Sequence, residues 1–371
     1  MSSSGIAKPR YEQAKPAPKN NERRSAKPKN NNRQMKAYKL HAPKNFENFI
    51  LDEYDEPVLK AGQVKIAVKA VSLNFRDWGL ANGLMTYAGE SLPFIPLSDA
   101  GGLVTAVGAG VKHIKPGDRV SASFFPEWTS GPYTKEKTFR ALGGTQDGVL
   151  AEYIVLDESA VVSIPDFFSY TEAATFPCAG VTAWHALAVQ ARLKPGDTVL
   201  LSGTGGVSVF GLQIAKMFGA TVIITSGSDE KLEQARDLGA DYTVNYKTDE
   251  NWQDTVKKLS GGKGVNYIVD VVGNLSHALN MIRPGGSIFM IGKVGGAAAN
   301  DQPNLRQVTV DMLRLQGIFV GSAEMLSDVF NAFASNHIKP VIGKTFEFAE
   351  VKEAMTFMSK GSHFGKIVVT L

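Results

Sequence analysis

The stretch TVLLSGTGGVSVFGLQIAK, residues 198–216, carries the clearest structural signal of the chain. It starts with an apolar run typical of a buried strand, and apolar residues at helical spacing follow a glycine-rich turn. Glycines at such a turn let the backbone come close to a pyrophosphate, which lies on the free amides and the positive dipole end of the helix. The sequence therefore predicts the phosphate-binding turn of a dinucleotide fold, with cofactor contacts from Gly203, Thr204, Gly205, Gly206, Val207 and Ser208.

Ser208 stands at the third position of the G-x-G-x-x-G pattern and keeps a small side chain where helix and strand must pack closely. The alternative is an ordinary strand-to-helix turn that is rich in glycine. The following residues favour the dinucleotide fold, because strand and helix patterns alternate up to about residue 321. We predict a Rossmann doubly wound parallel sheet of the α/β class, with helices at 229–238 and 249–259 and strands at 199–201, 221–225, 242–246, 265–272, 287–291 and 313–320.

The end of the second of these strands decides which dinucleotide is bound. An NAD site places a carboxylate there for the ribose hydroxyls, whereas this chain has Thr225-Ser226-Gly227-Ser228. The hydroxyls of Ser226 and Ser228, together with Lys231, could hold a 2′-phosphate through charge-assisted hydrogen bonds. This pattern favours NADP(H) over NAD(H). In the alternative, Lys231 lies on a solvated helix face and Asp229 or Glu230 binds the ribose.

The length of 371 residues predicts two domains after an N-terminal tail. Residues 1–34 contain nine Lys or Arg and two Glu and almost no large apolar side chains, so we expect a disordered basic tail. Such a tail can bind RNA, an anionic membrane or an acidic partner, but a silent extension is favoured. We expect a soluble cytoplasmic protein, because the chain has no long apolar span, no secretory signal and one cysteine, Cys178.

Several ordered motifs resemble the medium-chain dehydrogenase/reductases, in particular the zinc-free branch that includes quinone oxidoreductases. They are AVSLNFRD at 70–77, PLSDAGGLVTAVGAGV at 96–111, KPGDRV at 115–120, DGVLAEYIVL at 147–156, FPCAGVTAWHAL at 176–187 and GKIVV at 365–369. The resemblance implies a Rossmann domain (165–321) inserted into a GroES-like, or chaperonin-10-like, β-barrel catalytic domain (35–164 plus 322–371). We also expect a homodimer. Strand-like runs at 62–73, 100–107 and 148–156 favour the barrel independently.

Zinc-dependent relatives hold their catalytic zinc with Cys, His and Cys, and these positions fall here on Asn74, Ser98 and Cys178. One thiolate does not make a zinc site, and the segment 121–142, where relatives carry a four-cysteine zinc lobe, has no cysteine. The six histidines also lack metal-type spacing. We therefore expect no metal.

Without zinc, the acceptor must already be electron-poor, as quinones and α,β-unsaturated carbonyls are. We expect the oxyanion or proton donors among Asn74, Arg76 and Tyr87, although an ion pair between Arg76 and Asp77 is an equal alternative. The resemblance implies further cofactor contacts. These are Thr182, Tyr246, Asn274, Gly292, Val294, Phe319, Val320, Gly321 and Lys366, of which Lys366 could equally be a surface lysine.

Three functions stay open from the sequence. The first is a zinc-independent NADP(H) oxidoreductase acting on a quinone, an enone or a related carbonyl or alcohol. The second is a tailoring enoyl or alcohol reductase of a biosynthetic pathway. The third is a non-catalytic NADPH-binding protein with an RNA-binding tail. An aromatic insert with Phe124, Phe125, Trp128, Tyr133 and Phe139 could line the pocket, cap it or pack under a loop.

Overall fold

The computed structural model describes residues 33–43, 45–85, 92–292 and 302–371. The predicted tail up to residue 32, and the predicted site residues Tyr87 and Val294, lie outside these ranges. No helix in the described ranges is long and apolar enough to cross a membrane.

The first half of the chain forms mainly antiparallel strands. Its elements are β1 (Gln34–Leu40), β2 (Phe49–Asp55), β3 (Gln63–Leu73), α1 (Phe75–Ala81), β4 (Asp99–Val107), β5 (Arg119–Ala122), β6 (Tyr153–Asp157) and β7 (Val161–Ser163). The next helices are α2 (Tyr170–Ala173) and α3 (Val181–Trp184), the latter continued on both sides by π-helical turns at Phe176–Gly180 and His185–Gln190.

Strands and helices then alternate, as the dinucleotide fold requires. The elements are β8 (Thr198–Ser202), α4 (Gly206–Met217), β9 (Thr221–Ser226), α5 (Asp229–Asp237), β10 (Tyr242–Asn245), α6 (Trp252–Leu259), β11 (Val265–Asp270), α7 (Leu275–Met281), β12 (Ile282–Met290), α8 (Arg306–Val310) and β13 (Arg314–Gly317). The chain ends with α9 (Ala323–Ser335), β14 (Ile342–Glu347), α10 (Val351–Ser359) and β15 (Lys366–Thr370).

The Rossmann sheet is present, with six parallel strands in the order β10-β9-β8-β11-β12-β13. All six predicted strands are confirmed, but the last is shorter than expected and ends at Gly317 instead of continuing to Val320. Val320, three residues further on, has a φ of 52°, in the left-handed region that a β-branched residue rarely adopts. Because β8 and β11 are parallel neighbours at the centre of the sheet, their carboxyl ends lie at the same edge.

The second sheet has the order β14-β15-β3-β4-β5-β7, with β6 also paired to β3. Its last strand in the chain, β15, pairs antiparallel with β3, so the C-terminal segment completes a sheet begun near residue 63. The predicted strand at 148–156 starts only at Tyr153, because the amides of Gly148 and Val149 bond instead to carbonyls of the loop 95–97. The architecture of this second sheet confirms the GroES-like class of the fold. The domain boundaries stay a prediction from the sequence.

The two sheets meet beside the glycine turn. The amide of Gly365, just before β15, donates to the carbonyl of Thr204 at 3.2 Å. Around this contact, Phe176, Phe210 and Phe333 pack in a common apolar core. The start of β15 is therefore held directly against the turn that follows β8.

Candidate functional site

The glycine turn has the geometry of an anion cradle. Gly203 has a φ of +79°, and a Cβ added to Gly203 or Gly205 would meet no described atom within 4 Å. Gly205 is the N-cap of α4 and offers no capping side chain, and the amides of Val207 and Ser208 have no acceptor among the described residues. This open, amide-lined helix start fits a pyrophosphate.

Ser208 explains why the third glycine is dispensable here. Its side chain is buried and its Oγ donates to the carbonyl of Ser202 at 2.9 Å, so the small hydroxyl ties the helix to the end of β8. Serine thus supplies the close helix–strand packing that glycine supplies in the usual pattern.

The end of β9 is surrounded by basic side chains. Lys231 Nζ donates to the carbonyl of Gly361, and the stem of Lys247 lies over Gly227, where an added Cβ would be 2.7 Å from Lys247 Cε. Asp229 Oδ1 accepts from Asn245 Nδ2 at 2.7 Å, and Asn245 is the register partner of Ser226 between β10 and β9. Lys247 was not identified from the sequence, although it follows the predicted strand by one residue.

The remaining predicted contacts at this end have ordinary local partners. Ser226 is buried and its Oγ accepts from the amide of Ser228, while Tyr246 is half exposed and its amide donates to the carbonyl of Ser226. Asn274 caps α7 through a 3.0 Å bond from the amide of His277. Gly292 follows β12 closely, at the same edge of the sheet.

A cluster of buried polar side chains lies across the glycine turn. Lys366 is 3% exposed, which rules out the surface-lysine alternative, and its Nζ donates to the carbonyl of Leu73 at 2.6 Å and to Asn74 Oδ1 at 2.5 Å. Lys366 Nζ also lies 3.9 Å from Asp99 Oδ2. Asp99 was not identified from the sequence, although it is the carboxylate next to Ser98 in the motif.

Hydrogen bonds connect this cluster to the helix around Cys178. Ser98 Oγ donates to Asp99 Oδ1 at 2.6 Å, and the amide of Cys178 donates to Asp99 Oδ2 at 3.1 Å. Thr182 Oγ1 in turn donates to the carbonyl of Cys178 at 2.6 Å. Burial raises the pKa of Asp99, while the charge of Lys366 and the Ser98 hydroxyl oppose that rise.

The three positions that correspond to zinc ligands do not form a donor set that suits zinc. Asn74 offers an amide whose oxygen accepts from an ammonium group, Ser98 offers a hydroxyl, and burial raises the pKa of the Cys178 thiol. A zinc ligand must be a deprotonated or strongly donating group, and a cation already lies beside Asn74. Across the described ranges, His, Cys, Asp and Glu side chains form no cluster suited to a metal ion.

Arg76 is engaged in structural contacts. Its guanidinium donates to the carbonyls of Leu142 and Gly143 at 2.8 and 2.6 Å, and its Nε lies 3.7 Å from Asp77 Oδ1. Burial raises the pKa of Asp77 to about 6, and the adjacent Arg76 opposes this rise. These bonds indicate that Arg76 anchors the turn at 142–143, in line with the ion-pair alternative.

The segment after β13, residues 319–321, packs against the aromatic insert, and we call the two together the aromatic wall. Phe319 is partly exposed and packs on the buried ring of Phe125, with the two ring centroids 5.0 Å apart. The carbonyl of Val320 accepts from His185 Nδ1 at 2.7 Å, which requires a proton on that nitrogen. Gly321 has no room for a side chain, since a Cβ would lie 2.7 Å from Val181 Cγ1. His185 was not identified from the sequence and holds the backbone of this wall.

The sequence motifs match two family models. Residues 60–166 match the alcohol dehydrogenase GroES-like domain, and residues 206–335 match the zinc-binding dehydrogenase domain. A zinc-type alcohol dehydrogenase-like protein of Schizosaccharomyces pombe is 39% identical over 88% of this chain and 96% of its own length. The 2-methylene-furan-3-one reductase of Solanum lycopersicum is 31% identical over 84% of this chain and 73% of its own.

A solved structure also resembles this chain over most of its length. The crystal structure of an NAD-dependent alcohol dehydrogenase superimposes with a TM-score of 0.83 at 31% identity, over 91% of this chain and all of that one. With the glycine cradle and the two-sheet architecture, these similarities show that the chain belongs to the medium-chain dehydrogenase/reductase family of oxidoreductases.

Proposed function

We propose that this protein is a zinc-independent, NADP(H)-dependent oxidoreductase that transfers hydride between the nicotinamide and a quinone, an α,β-unsaturated carbonyl or a related carbonyl or alcohol. The observation that carries the proposal is the pairing of an open glycine cradle with a buried ammonium, Lys366, beside Asn74, a position that the family resemblance assigns to a zinc ligand. The bound cofactor supplies the hydride. The chain would position the substrate against the nicotinamide, exclude water from the cleft and offer a hydrogen-bond donor to the developing oxyanion.

Asn74 is the proposed donor to the substrate oxygen. It is 7% exposed at the start of α1, and its Nδ2 lies 3.5 Å from Ser98 Oγ, which is a loose bond. A substrate oxygen that approaches Nδ2 would accept a better hydrogen bond as negative charge develops on it. Arg76 is left out of this chemistry because of its backbone partners. Tyr87 stays a prediction from the sequence.

Three basic or hydroxyl groups support a preference for NADP(H). Ser226, Lys231 and Lys247 surround the end of β9, and Asp229 is hydrogen-bonded to Asn245. Lysine and hydroxyl groups bind a 2′-phosphate, and a carboxylate at this position would repel it. The NAD dependence of one similar structure argues for testing both cofactors. We propose that Asn274 and Gly292 face the cofactor and that Thr182 and Phe319–Gly321 lie near the nicotinamide, while Val294 stays a prediction from the sequence.

The wall formed by Phe125 and Phe319 favours a flat, apolar acceptor. The tomato relative is named for the reduction of an enone-type furanone, which supports the same substrate class. A tailoring enoyl or alcohol reductase is the second candidate, and its mark would be turnover only of a carrier-bound or complex substrate. A non-catalytic NADPH-binding role with an RNA-binding tail predicts cofactor binding without turnover. We propose a cytoplasmic location for all three.

The partner surface we propose is the edge of the Rossmann sheet, where a second copy would pair in a homodimer. Among the described residues β13 has a paired strand on one side only, and Val310 and Met312 beside it are 66% and 82% exposed. An open strand edge beside exposed apolar side chains is a typical pairing surface.

The proposed reaction is tested with protein treated with a strong zinc chelator and then desalted. We expect oxidation of NADPH to depend on added phenanthrenequinone or an enone, with kcat within about twofold of untreated protein. Asn74→Ala should lower kcat by about tenfold or more, as loss of an oxyanion donor does, while the exposed variant Lys258→Ala should not. Activity that disappears with the chelator and returns with zinc would refute the proposal.

A further inference from the structure

The Lys366 side chain runs from the glycine turn to Asn74 and Asp99. Its stem passes over the glycine turn, where a Cβ on Gly206 would lie 2.7 Å from Lys366 Cδ. Its Nζ then reaches the carbonyl of Leu73 and Asn74 Oδ1, with Asp99 Oδ2 at 3.9 Å. An ammonium has three donors, and three acceptors lie around this one.

These contacts fix which way the Asn74 amide points. Lysine has no acceptor, so the Asn74 atom that lies 2.5 Å from Lys366 Nζ must be the oxygen. Nδ2 therefore points towards Ser98. The Ser98 hydroxyl gives its one hydrogen to Asp99 at 2.6 Å and can only accept from Nδ2. Both ends of the amide are thus assigned by their neighbours, and Nδ2 is the end that can donate to a ligand oxygen.

We propose that Lys366 is a positioning residue: its ammonium holds Asn74 Oδ1 so that the Nδ2 donor faces the substrate oxygen. The proposal rests on the proposed function and assigns Lys366 to the substrate side of the cleft in place of the phosphate. Asp99 supports the ammonium, which is 3% exposed. With Lys366 removed, the amide can turn its oxygen to the substrate, and an oxygen repels a developing oxyanion.

The test is a double-mutant cycle of Lys366→Met and Asn74→Ala. We expect Lys366→Met to lower kcat by about tenfold or more and to change the NADPH dissociation constant by less than about threefold. In the Asn74→Ala background, Lys366→Met should lower kcat by less than about twofold, because the group it positions is gone. Lys360→Met, an exposed lysine after α10, is the matched control and should leave both quantities unchanged.

Two further variants protect the test against misfolding. Lys366→Met leaves Asp99 as an unpaired buried carboxylate, so Lys366→Met combined with Asp99→Asn removes both charges together. Gly206→Ala keeps every charge and pushes on the lysine stem instead. Both should show the same loss of kcat, and near-normal NADPH binding is expected of the variant that removes both charges, because Gly206 itself lies in the glycine cradle.

A crystal structure of Lys366→Met is the readout that does not depend on turnover. The proposal expects the Asn74 side chain to leave its present orientation, and an unchanged amide would overturn it. A more than tenfold loss of NADPH affinity with unchanged kcat would also overturn it, since Lys366 would then bind phosphate. Additive losses in the cycle would show that Lys366 acts independently of Asn74. If wild-type protein turns over no acceptor, the proposed function fails, and the crystal structure still decides the position of the amide.

Discussion

His363 illustrates how a single residue responds to the charges that surround the cofactor cleft. It lies two residues before Gly365 and packs on Phe357, with its Nδ1 buried and unpaired within the described residues. Burial, together with the positive charges of Lys231 and Lys366, lowers the pKa of His363 to about 4. The native protein therefore keeps this histidine neutral at a pH where the unfolded chain would protonate it.

We predict that stability falls in acid because of this residue. Between about pH 6.5 and 4 the unfolded chain binds the proton and the native protein does not, so the free energy of unfolding drops as pH falls. His363→Gln should reduce the loss between pH 7.5 and 5 by about 1–2 kcal/mol, measured by urea unfolding at both pH values. His41→Gln, at an exposed site, is the control. An equal pH dependence in His363→Gln and wild type would contradict the assignment.

At the same scale, the sequence predicted backbone roles better than side-chain directions. The glycines at 203 and 205 were found because only a small set of residues suits such a turn. Lys366 and Asp99 were not paired in advance, because they are 267 positions apart in the chain and meet only when β15 joins β3. Long-range ion pairs leave no local pattern in one sequence.

Among the elements, the strands of the Rossmann sheet were predictable because buried parallel strands are continuous apolar runs. The aromatic insert was not, since its rings divide between two environments. Phe124, Phe125 and Trp128 are buried, whereas Tyr133 and Phe139 are exposed. Lys137 Nζ donates to the carbonyl of Ser130 at 2.8 Å, so hydrogen bonds help to hold the loop that a zinc lobe occupies in relatives.

The open edge at β13 gives a prediction at the scale of elements. If β13 pairs with a second copy, light scattering should give twice the mass of one chain at micromolar concentration. Val310→Asp should shift the protein towards the monomer, because a carboxylate at a buried interface costs several kcal/mol. Val58→Asp, at a 70% exposed valine on another surface, should stay dimeric. A wild-type mass of one chain would refute the dimer.

For the whole molecule, the two sheets and their joining point account for the cleft. The contact of Gly365 with Thr204 fixes β15 against the glycine turn, so a single segment closes the barrel sheet and delivers Lys366 to Asn74. The two-part architecture was predictable from motifs spread over the chain. The contact of Lys231 with Gly361 was not predictable, because it depends on how the two parts pack.

The most direct test of the account is a calorimetric titration of the full chain with NADPH and NADH, repeated with Gly205→Val. The account predicts that NADPH binds at least about tenfold more tightly than NADH, as lost charge-assisted bonds to the 2′-phosphate would cost. It also predicts that Gly205→Val abolishes binding without loss of folding, because the added side chain enters open space where the pyrophosphate would lie. Unchanged NADPH affinity in Gly205→Val would contradict the central claim, and tighter binding of NADH would contradict the assignment of the adenosine pocket.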